Sequence, residues 1–496
     1  MIALRRRYLP GIALAALTTA VFAGSLGAPF HLDDHALLAD PAVTGAGGWG
    51  LLFRLEQTRP LTYLTFRLNY QLAGPSAAAF HAGNLLLHVA AVLLLLDVLG
   101  RLLPPRAAWI AAFLFALHPI QTEAVVYVFA RAALLMTVFC LLALRAWLDE
   151  KPWRAAAWFA LALLAKEECA AFPLLLLLVD RARGRPEFRW KPVAAMLALA
   201  VAAGARVVYV LAQSAESGAG AGSVYSPWEY FAAQGPVIWR YFRLLVIPYG
   251  FTVDPEIAVP GAAVAVGAWL ALAVAAFASL RWFRGLRPGF WFLAGLILLL
   301  PSSSVFPADD LAADRRMYLP LAALAPAAAL MLRRVSWKAL SAIGLALALV
   351  TVSRGNVWRS ERALWAEAVE RAPGKVRPRI QLSRALPADQ AIEVLEKARR
   401  LAPEDARVQT ELGRRYLETG EPGRSLEAFG RALALEPGNP AAWNNRGVAL
   451  LALGQRDAAR QDFENALKRD PCFDPAYENL AKLGVSAIPP GHCAGR

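Results

Sequence analysis

Long apolar stretches alternate with short polar connections over the first 353 of the 496 residues. About 20 apolar residues are enough to cross the hydrocarbon core of a bilayer as a helix. We count eleven candidate spans, several of them short enough to require tilted or broken helices. The predicted spans are 10–28, 82–102, 107–121, 126–147, 153–166, 168–180, 192–212, 260–280, 289–304, 318–333 and 337–353.

The pattern changes at residue 354, where the chain becomes as polar as an ordinary soluble domain. A period of 34 residues then runs through it, carried by prolines, alanines, aromatic residues and glycines. These positions are Pro403, Pro437 and Pro471; Ala398, Ala432 and Ala466; Phe429 and Phe463; Gly413 and Gly447. Small residues let paired helices approach and proline ends the second helix, as in tetratricopeptide (TPR) repeats.

We therefore predict an all-α protein, a polytopic membrane helix bundle followed by a C-terminal TPR α-solenoid. The membrane domain is 1–353 and a connecting helix is 354–371. The repeats occupy 372–484, followed by a tail at 485–496. Within them we distinguish a degenerate repeat 372–403, clear repeats 406–437 and 440–471, and a capping helix 474–484.

Composition supports a membrane domain, since 57% of residues are hydrophobic and 18% are charged, against about 25% charged in soluble proteins. The net charge of +14 could indicate nucleic-acid binding. However, Arg and Lys cluster in short loops between the apolar runs, as expected of cytoplasmic loops. We interpret the charge as topological and expect no nucleic-acid partner.

Charge counting also predicts the orientation of the chain. Placing the basic N-terminus (residues 5–7) in the cytoplasm makes every predicted cytoplasmic loop basic. The N-terminal stretch resembles a signal peptide, but we interpret it as an uncleaved first span. Segments 29–81, 213–259 and 305–317 are then extracytoplasmic, as is the TPR tail. We expect an amphipathic helix at 59–72 on the membrane face, and a lid over the site in 213–259, with its Gly-rich 218–222 and aromatic 225–231 stretches.

The four cysteines form no CxxC motif, so no zinc or thioredoxin-like site is indicated. Cys140 and Cys169 lie in apolar runs and are interpreted as core residues. Cys472 and Cys493 flank the last helix, and whether they form a disulfide stays open, as does the oligomeric state.

Ionisable residues next to membrane spans are costly and therefore candidates for function. Asp33 and Asp34 follow the first span directly, where a carboxylate could act as a general base or mark only a solvated loop. The predicted topology places several cations and carboxylates on the same side. They are Arg59, His118, Glu123, Arg131, Lys166, Glu167, Arg315 and Arg316.

A carboxylate base surrounded by cations suits transfer from a lipid-linked phosphate, because the cations stabilise the departing phosphate. His118 and Glu123 could alternatively ligate a divalent cation. A phosphate leaving group does not require a metal, so we expect no cofactor.

Several motifs resemble the transmembrane and TPR-repeat protein O-mannosyltransferases. In chain order they are Asp33-Asp34, RPL (59–61), TFRLNY (65–70), FHAGNLLLH (80–88), FALHPIQTEAVVYVFARAALL (115–135), LLAKEE (163–168), LPSSSVFP (300–307), DRRMYLP (314–320) and NVWRSERALWAEAV (356–369). The chain is similar to this family along essentially its whole length, and looks like a bacterial relative with a short TPR array.

The resemblance implies a GT-C-type membrane glycosyltransferase using a polyprenyl-phosphate sugar, with mannose the expected sugar. It places the family's acidic pair on Asp33 and Asp34. Its other motif residues fall on His118, Glu123, Arg131, Lys166 and Glu167, and its Asp-Arg pair on Asp314-Arg315. The chain departs from the family pattern in its additional Arg316 and in Ala133, where the family often has an acidic residue.

The expected reaction is protein O-mannosylation on Ser or Thr, outside the cytoplasm and at the inner membrane. The expected partners are the lipid-linked sugar, an acceptor protein and a protein bound by the TPR groove. Two other interpretations stay open. The acceptor could be a glycan or a lipid, or the chain could be a non-catalytic TPR scaffold in which the repeats serve as a spacer.

Overall fold

The structure is a computed structural model that describes residues 2–185, 189–213, 223–281, 285–304, 306–486 and 489–490. Helices are the regular secondary structure of the described residues, which contain no β-strand. The predicted all-α class is therefore confirmed. The chain divides into two compact units, Met1–Ser360 and Glu361–Arg496. Cys493 and the Gly-rich stretch 218–222 lie outside the described residues.

The first unit consists of α-helices joined by short turns and 3-10 segments. Prolines begin several of the helices, where a fixed φ and a missing N–H cost nothing. The α-helices are Ile2–Phe22, Asp33–Ala39, Pro41–Thr44, Pro60–Ala73, Ala77–Gly100, Pro105–Leu117, Thr122–Val126, Arg131–Leu148, Pro152–Ala165, Phe172–Ala182, Trp190–Gln213, Pro227–Val246, Ala262–Arg281, Pro288–Leu299, Tyr318–Leu332 and Trp337–Val357.

Among the described residues, six helices are long and apolar enough to cross a membrane. A seventh span results if Pro105–Leu117 and Pro119–Val126, which meet at a bend of 50°, are counted together. Pro152–Ala165 and Pro288–Leu299 are apolar but shorter. The polytopic membrane bundle is thus confirmed, whereas the predicted number of eleven spans is not.

The core of this unit surrounds the helix Pro105–Leu117, which is buried at nearly every position from Ala107 onward. Helices Ala77–Gly100 and Tyr318–Leu332 pack against it. Thirteen residues rise only about 20 Å, so this helix falls short of a full crossing. Its end at His118-Pro119 turns the chain into the short helices that follow.

Two hydrogen bonds inside this core join distant helices through buried polar side chains. His88 Nδ1 lies 2.7 Å from the hydroxyl of Tyr318, and Thr351 donates a hydrogen bond of 2.7 Å to the carbonyl of Leu117. Each bond joins helices that are far apart in sequence. An unpaired polar group in this environment would be costly, so the bonds fix how the helices are arranged.

Two helices outside the apolar spans shape the functional region. Pro60–Ala73 confirms the helix expected at 59–72. Pro227–Val246 lies in a segment for which we predicted a lid and no helix. It begins with a capping box, in which Ser226 and Glu229 exchange side-chain and backbone hydrogen bonds.

The second unit is a series of paired helices. They are Glu361–Arg371, Arg377–Arg384, Ala388–Leu401, Ala406–Glu418, Pro422–Leu435, Pro440–Ala452, Arg456–Arg469 and Asp474–Lys482. Gly413 and Gly447 sit against the rings of Phe429 and Phe463, where an added Cβ would lie 2.9 and 2.6 Å from ring atoms. The 34-residue period therefore reflects a repeated close packing of two helices.

Candidate functional site

A cavity of about 560 Å³ lies in the first unit. Its polar lining includes Thr58, Tyr230 and Ser302, together with most of the predicted site residues. The helix Trp190–Gln213 contributes much of its apolar lining. The predicted residues on its wall are Asp33, Arg59, Lys166, Glu167, Arg315 and Arg316.

The two adjacent aspartates have different surroundings. Asp33 is exposed, lines the cavity, and accepts a hydrogen bond of 2.6 Å from the hydroxyl of Tyr127. Asp34 is fully buried and accepts bonds from the backbone N–H groups of His31 and Phe129, at 3.0 and 2.8 Å. Asp34 thus ties two chain segments together, and Asp33 is the carboxylate that a ligand in the cavity can reach.

Burial of Asp34 has an electrostatic consequence. Loss of hydration raises its pKa to about 7, although the backbone hydrogen bonds from His31 and Phe129 oppose this rise. Burial disfavours the carboxylate, whereas hydrogen bonds to it favour the charged form. This carboxyl group therefore changes its protonation near neutral pH.

Arg59 and Glu167 form a two-point ion pair on the cavity wall. Arg59 Nη2 donates to Oε1 of Glu167 at 2.8 Å, and Nε donates to Oε2 at 3.3 Å. The hydroxyl of Thr62 bonds the carbonyl of Ala165 at 2.9 Å, so the same two segments are also joined just beside the pair. Burial, the largest single effect, would raise the pKa of Glu167. The charge of Arg59, its hydrogen bonds to Glu167 and the smaller effects of a backbone N–H and Lys166 together outweigh burial and lower that pKa to about 2.

Lys166 and Glu168 form a second pair, at 2.8 Å. Their position depends on the break between the helices Pro152–Ala165 and Phe172–Ala182, where the backbone at Lys166 is extended. The break confirms the interruption that these charged residues indicate in the apolar sequence. Both side chains line the cavity.

Two arginines approach from the turn before the helix Tyr318–Leu332. Arg315 pairs with Glu123, which is buried, and with Asp310 at 3.5 Å. Arg316 bonds the carbonyls of Asp310 and Leu311 at 2.8 and 3.2 Å. No carboxylate in the described part of the chain forms an ion pair with Arg316. Its charge is therefore the least compensated of the four cations on the wall.

The helix Pro227–Val246 holds this turn in place and supplies a residue that sequence reasoning missed. Arg240 pairs with Asp314 at 2.8 Å, and Tyr241 exchanges hydrogen bonds with the backbone of Ala313. Tyr230 accepts a bond of 3.1 Å from Arg316 and donates one of 2.8 Å to the carbonyl of Ser302. The capping box at Ser226 was the available sequence signal for this helix.

Asp34, His118, Glu123 and Arg131 do not line the cavity. Arg131 is buried between the rings of Phe66 and Phe80, and its guanidinium bonds two asparagine side chains and two carbonyls. It therefore joins the helices Pro60–Ala73 and Ala77–Gly100 to its own helix. Glu123 reaches the cavity only through its pairing with Arg315.

Both ring nitrogens of His118 are engaged. Nδ1 accepts a bond from the N–H of Ile120 at 3.2 Å, and Nε2 lies 3.2 Å from the carbonyl of Leu245. His118 thus stabilises the bend after Leu117. Within the described residues, no group of three or more His, Cys, Asp and Glu side chains is arranged to hold a metal.

A comparison with protein families agrees with the predicted repeats. A tetratricopeptide-repeat family model matches residues 410–472. Among solved structures, a thermophilic TPR protein of Thermus thermophilus is 22% identical, with 29% of this chain and 87% of that chain covered and a TM-score of 0.24. MamA is also 22% identical, with 25% of this chain and 77% of that chain covered and a TM-score of 0.23.

Curated relatives share one description. Protein O-mannosyl-transferase TMTC3 of Mus musculus is 42% identical over 107 residues, which is 21% of this chain and 12% of the relative. Protein O-mannosyl-transferase Tmtc2 of Drosophila melanogaster is 36% identical over 197 residues, which is 34% of this chain and 21% of the relative. The chain thus spans 12–21% of the length of these relatives. These matches confirm the resemblance of the chain to the transmembrane and TPR-repeat protein O-mannosyl-transferases.

Proposed function

We propose that this protein is a membrane glycosyltransferase of GT-C type. It moves a sugar, mannose by analogy with the relatives, from a polyprenyl-phosphate donor to Ser or Thr hydroxyls of extracytoplasmic proteins. The observation that carries the proposal is the cavity itself. The exposed carboxylate of Asp33 lines this cavity together with the cations Arg59, Lys166, Arg315 and Arg316, and the helix Trp190–Gln213 contributes apolar lining. The other two carboxylates of the lining, Glu167 and Glu168, are paired with Arg59 and Lys166.

In the proposed reaction, Asp33 accepts the proton of the acceptor hydroxyl as its oxygen bonds the anomeric carbon. The bond between that carbon and the phosphate oxygen breaks, and its electron pair stays on the phosphate. Arg316 is the best placed cation for the leaving phosphate, because its charge lacks a carboxylate partner among the described residues. Arg59, Lys166 and Arg315 add to the positive field around it.

The apolar wall provides a path for the lipid part of the donor. Gly204, Val207, Val208 and Leu211 of the helix Trp190–Gln213 line this side of the cavity. An isoprenoid chain buried there is stabilised by removal of its apolar surface from water. The phosphate would then lie at the boundary between the apolar wall and the cations.

The TPR unit supplies the proposed contact with protein, either the acceptor or an assembly partner. Stacked repeats form extended concave surfaces suited to such binding. By the charge argument, this unit and Asp33 face the same extracytoplasmic compartment, at the inner membrane of a bacterial cell. The non-catalytic scaffold predicts that Asp33, Glu123 and Lys166 lie far apart. Asp33 and Lys166 line one cavity, and Glu123, which does not line it, pairs with Arg315 of its wall, so these contacts argue against the scaffold.

Glycoproteomics of extracytoplasmic proteins, with and without this gene, tests the proposal. We expect hexose to be lost from particular Ser and Thr residues. Loss of hexose from a polysaccharide or a lipid instead would identify that molecule, and not a protein, as the acceptor. An unchanged glycan profile would overturn the enzymatic function.

A complementation experiment then tests the site. Asp33→Asn should insert and accumulate normally but restore no transfer. The control Glu56→Gln alters an exposed carboxylate outside the cavity wall and should restore transfer fully. Transfer by the Asp33→Asn protein at the wild-type rate would rule out Asp33 as the base.

A further inference from the structure

One arginine of the apolar helix Trp190–Gln213 has no role in the reaction described above. Arg206 is the only charged residue between Pro192 and Gln213. A charged side chain in a membrane-spanning segment is expensive and is retained mainly where it has a task. The contacts of Arg206 identify such a task.

The guanidinium of Arg206 binds three backbone carbonyls of one short segment, residues 54–57. Nε donates to Leu55 at 3.0 Å, and Nη2 donates to Arg54 at 2.8 Å and to Gln57 at 2.7 Å. No carboxylate of the described residues forms an ion pair with Arg206. The planar fork of the guanidinium, with several donors at fixed angles, suits such a multiple contact, whereas a lysine could not reproduce it.

Few residues on either side of this contact are buried within the protein. The buried residues of the helix are Pro192, Val193 and Met196, all near its beginning, so its second half has none. On the other side, Arg54 and Leu55 are exposed. A segment with few buried contacts opens easily. Arg206 is therefore the main polar connection between the second half of the helix and residues 54–57.

The two connected elements both belong to the cavity. Thr58 and Arg59 follow the bound segment directly, Val207 and Val208 follow Arg206, and all four line the cavity. Arg206, Thr58 and Val207 also line a second, largely apolar cavity of about 300 Å³. Arg206 thus stands where the two cavities meet.

We propose that Arg206 is a positioning residue for the lipid-linked donor. By fixing residues 54–57 to the helix, it sets the distance between the apolar wall and the wall that carries Thr58 and Arg59. This inference rests on the proposed glycosyl transfer, because the donor is the ligand it concerns. The acceptor hydroxyl approaches Asp33, which Arg206 does not contact.

The first test is independent of catalysis. Hydrogen–deuterium exchange of the full-length protein in detergent is compared for the wild type, Arg206→Gln and Arg243→Gln. Arg243 is the matched control, since it also donates to a backbone carbonyl, that of Tyr249 at 3.1 Å, but does not line the cavity. Exchange in peptides covering 49–59 should increase in Arg206→Gln alone. Unchanged exchange there would overturn the proposal.

The second test uses transfer from a polyprenyl-phosphate sugar to an acceptor peptide. Arg206→Gln should raise the KM for the donor by about tenfold and change the KM for the peptide less than about twofold. Arg206→Lys should give an intermediate donor KM. Faster exchange with an unchanged donor KM would show that Arg206 stabilises the structure but does not position the donor, and would overturn the proposal. Absence of transfer activity in the wild-type protein would refute the proposed function. The exchange experiment would still decide whether Arg206 holds residues 54–57.

Discussion

The hydroxyl of Tyr127 donates a hydrogen bond of 2.6 Å to Oδ2 of Asp33, 94 positions earlier in the chain. The ring of Tyr127 stacks on the indole of Trp358 with centroids 6.0 Å apart, and the guanidinium carbon of Arg315 lies 5.9 Å from the tyrosine ring centroid. Asp33 is therefore oriented by a side chain that is itself fixed on two sides.

Removing this bond should impair transfer without impairing folding. Tyr127→Phe keeps the ring and its stacking, and leaves Asp33 free to adopt other rotamers. A displacement of catalytic geometry by about 1 Å can reduce a rate up to a hundredfold. We expect kcat to fall at least about tenfold while the thermal unfolding midpoint stays within about 2 °C of wild type. A wild-type kcat would show that the bond has no catalytic role.

The raised pKa of Asp34 predicts a pH dependence of stability. In the folded protein burial raises this pKa to about 7, against about 3.9 in an unfolded chain. The folded state thus binds the proton more tightly, so the contribution of Asp34 favours folding at low pH and is lost as pH rises from about 4 to 7.

Thermal unfolding in detergent across that pH range measures the effect. Asp34→Asn cannot ionise, so its midpoint should fall less steeply with pH than that of the wild type. The asparagine also offers only one acceptor oxygen to the two N–H groups that Asp34 binds, which lowers stability at every pH. Equal pH slopes for the two proteins would contradict the assignment.

Arg316 and Arg315 should respond differently to loss of charge. Arg316→Met removes charge-assisted hydrogen bonds to the proposed phosphate, worth about 1.5–3 kcal/mol, so the donor kcat/KM should fall about 10- to 100-fold. Arg315→Met leaves the buried Glu123 without its cation, and should destabilise the protein as well. Parallel kinetics and unfolding of both variants distinguish the roles. Equal losses of stability in Arg316→Met and Arg315→Met would contradict the assignment of a structural role to Arg315 alone.

Gly204 allows the cavity volume to be altered without a clash. It lines the cavity, and a Cβ added there has no atom within 4 Å. Gly204→Leu should therefore narrow the apolar side and reduce donor kcat/KM by about tenfold. Gly267→Leu is the control, because Gly267 has equally open surroundings on another apolar helix and does not line the cavity. Equal activity of both variants would argue against a lipid path beside Gly204.

The repeat unit offers a matched pair of glycines as well. Gly447→Ala places a methyl 2.6 Å from the ring of Phe463, and overpacking of this kind costs about 1–3 kcal/mol. Gly430 lies inside a helix with no atom within 4 Å of an added Cβ, so Gly430→Ala should stabilise by about 0.5–1 kcal/mol. Chemical unfolding of the full chain measures whether the free energy of unfolding falls in Gly447→Ala and rises in Gly430→Ala.

Periodicity predicted the repeats better than hydropathy predicted the number of spans. The 34-residue spacing follows from direct contacts such as Gly447 with Phe463, so it is visible in one sequence. Pro152–Ala165 has only 14 residues, and its length alone does not decide whether it crosses the bilayer. Pro227–Val246 escaped notice because Glu229, Arg240 and Arg243 lower its hydropathy and Pro236 interrupts it.

For the candidate site, the sequence pointed to charged side chains but not to their partners. The predicted topology placed Asp33, Arg59 and Lys166 on one side of the membrane, and in the structure all three line one cavity. It could not reveal that Arg131 is enclosed by helices and bonded to their backbone, since a buried structural arginine and a ligand-binding one look alike in a sequence. Arg206 was overlooked because a single charge within an apolar run lowers its hydropathy only slightly.

The recurring helix pairs of the second unit have a consequence for how such proteins can vary. Stacks of this kind depend on interfaces between neighbouring repeats. Inserting a copy of residues 440–473 would duplicate an interface that already exists and require no new one. Array length can therefore change in steps of one repeat during evolution, which makes the reach of the soluble unit adjustable without altering the membrane-embedded chemistry.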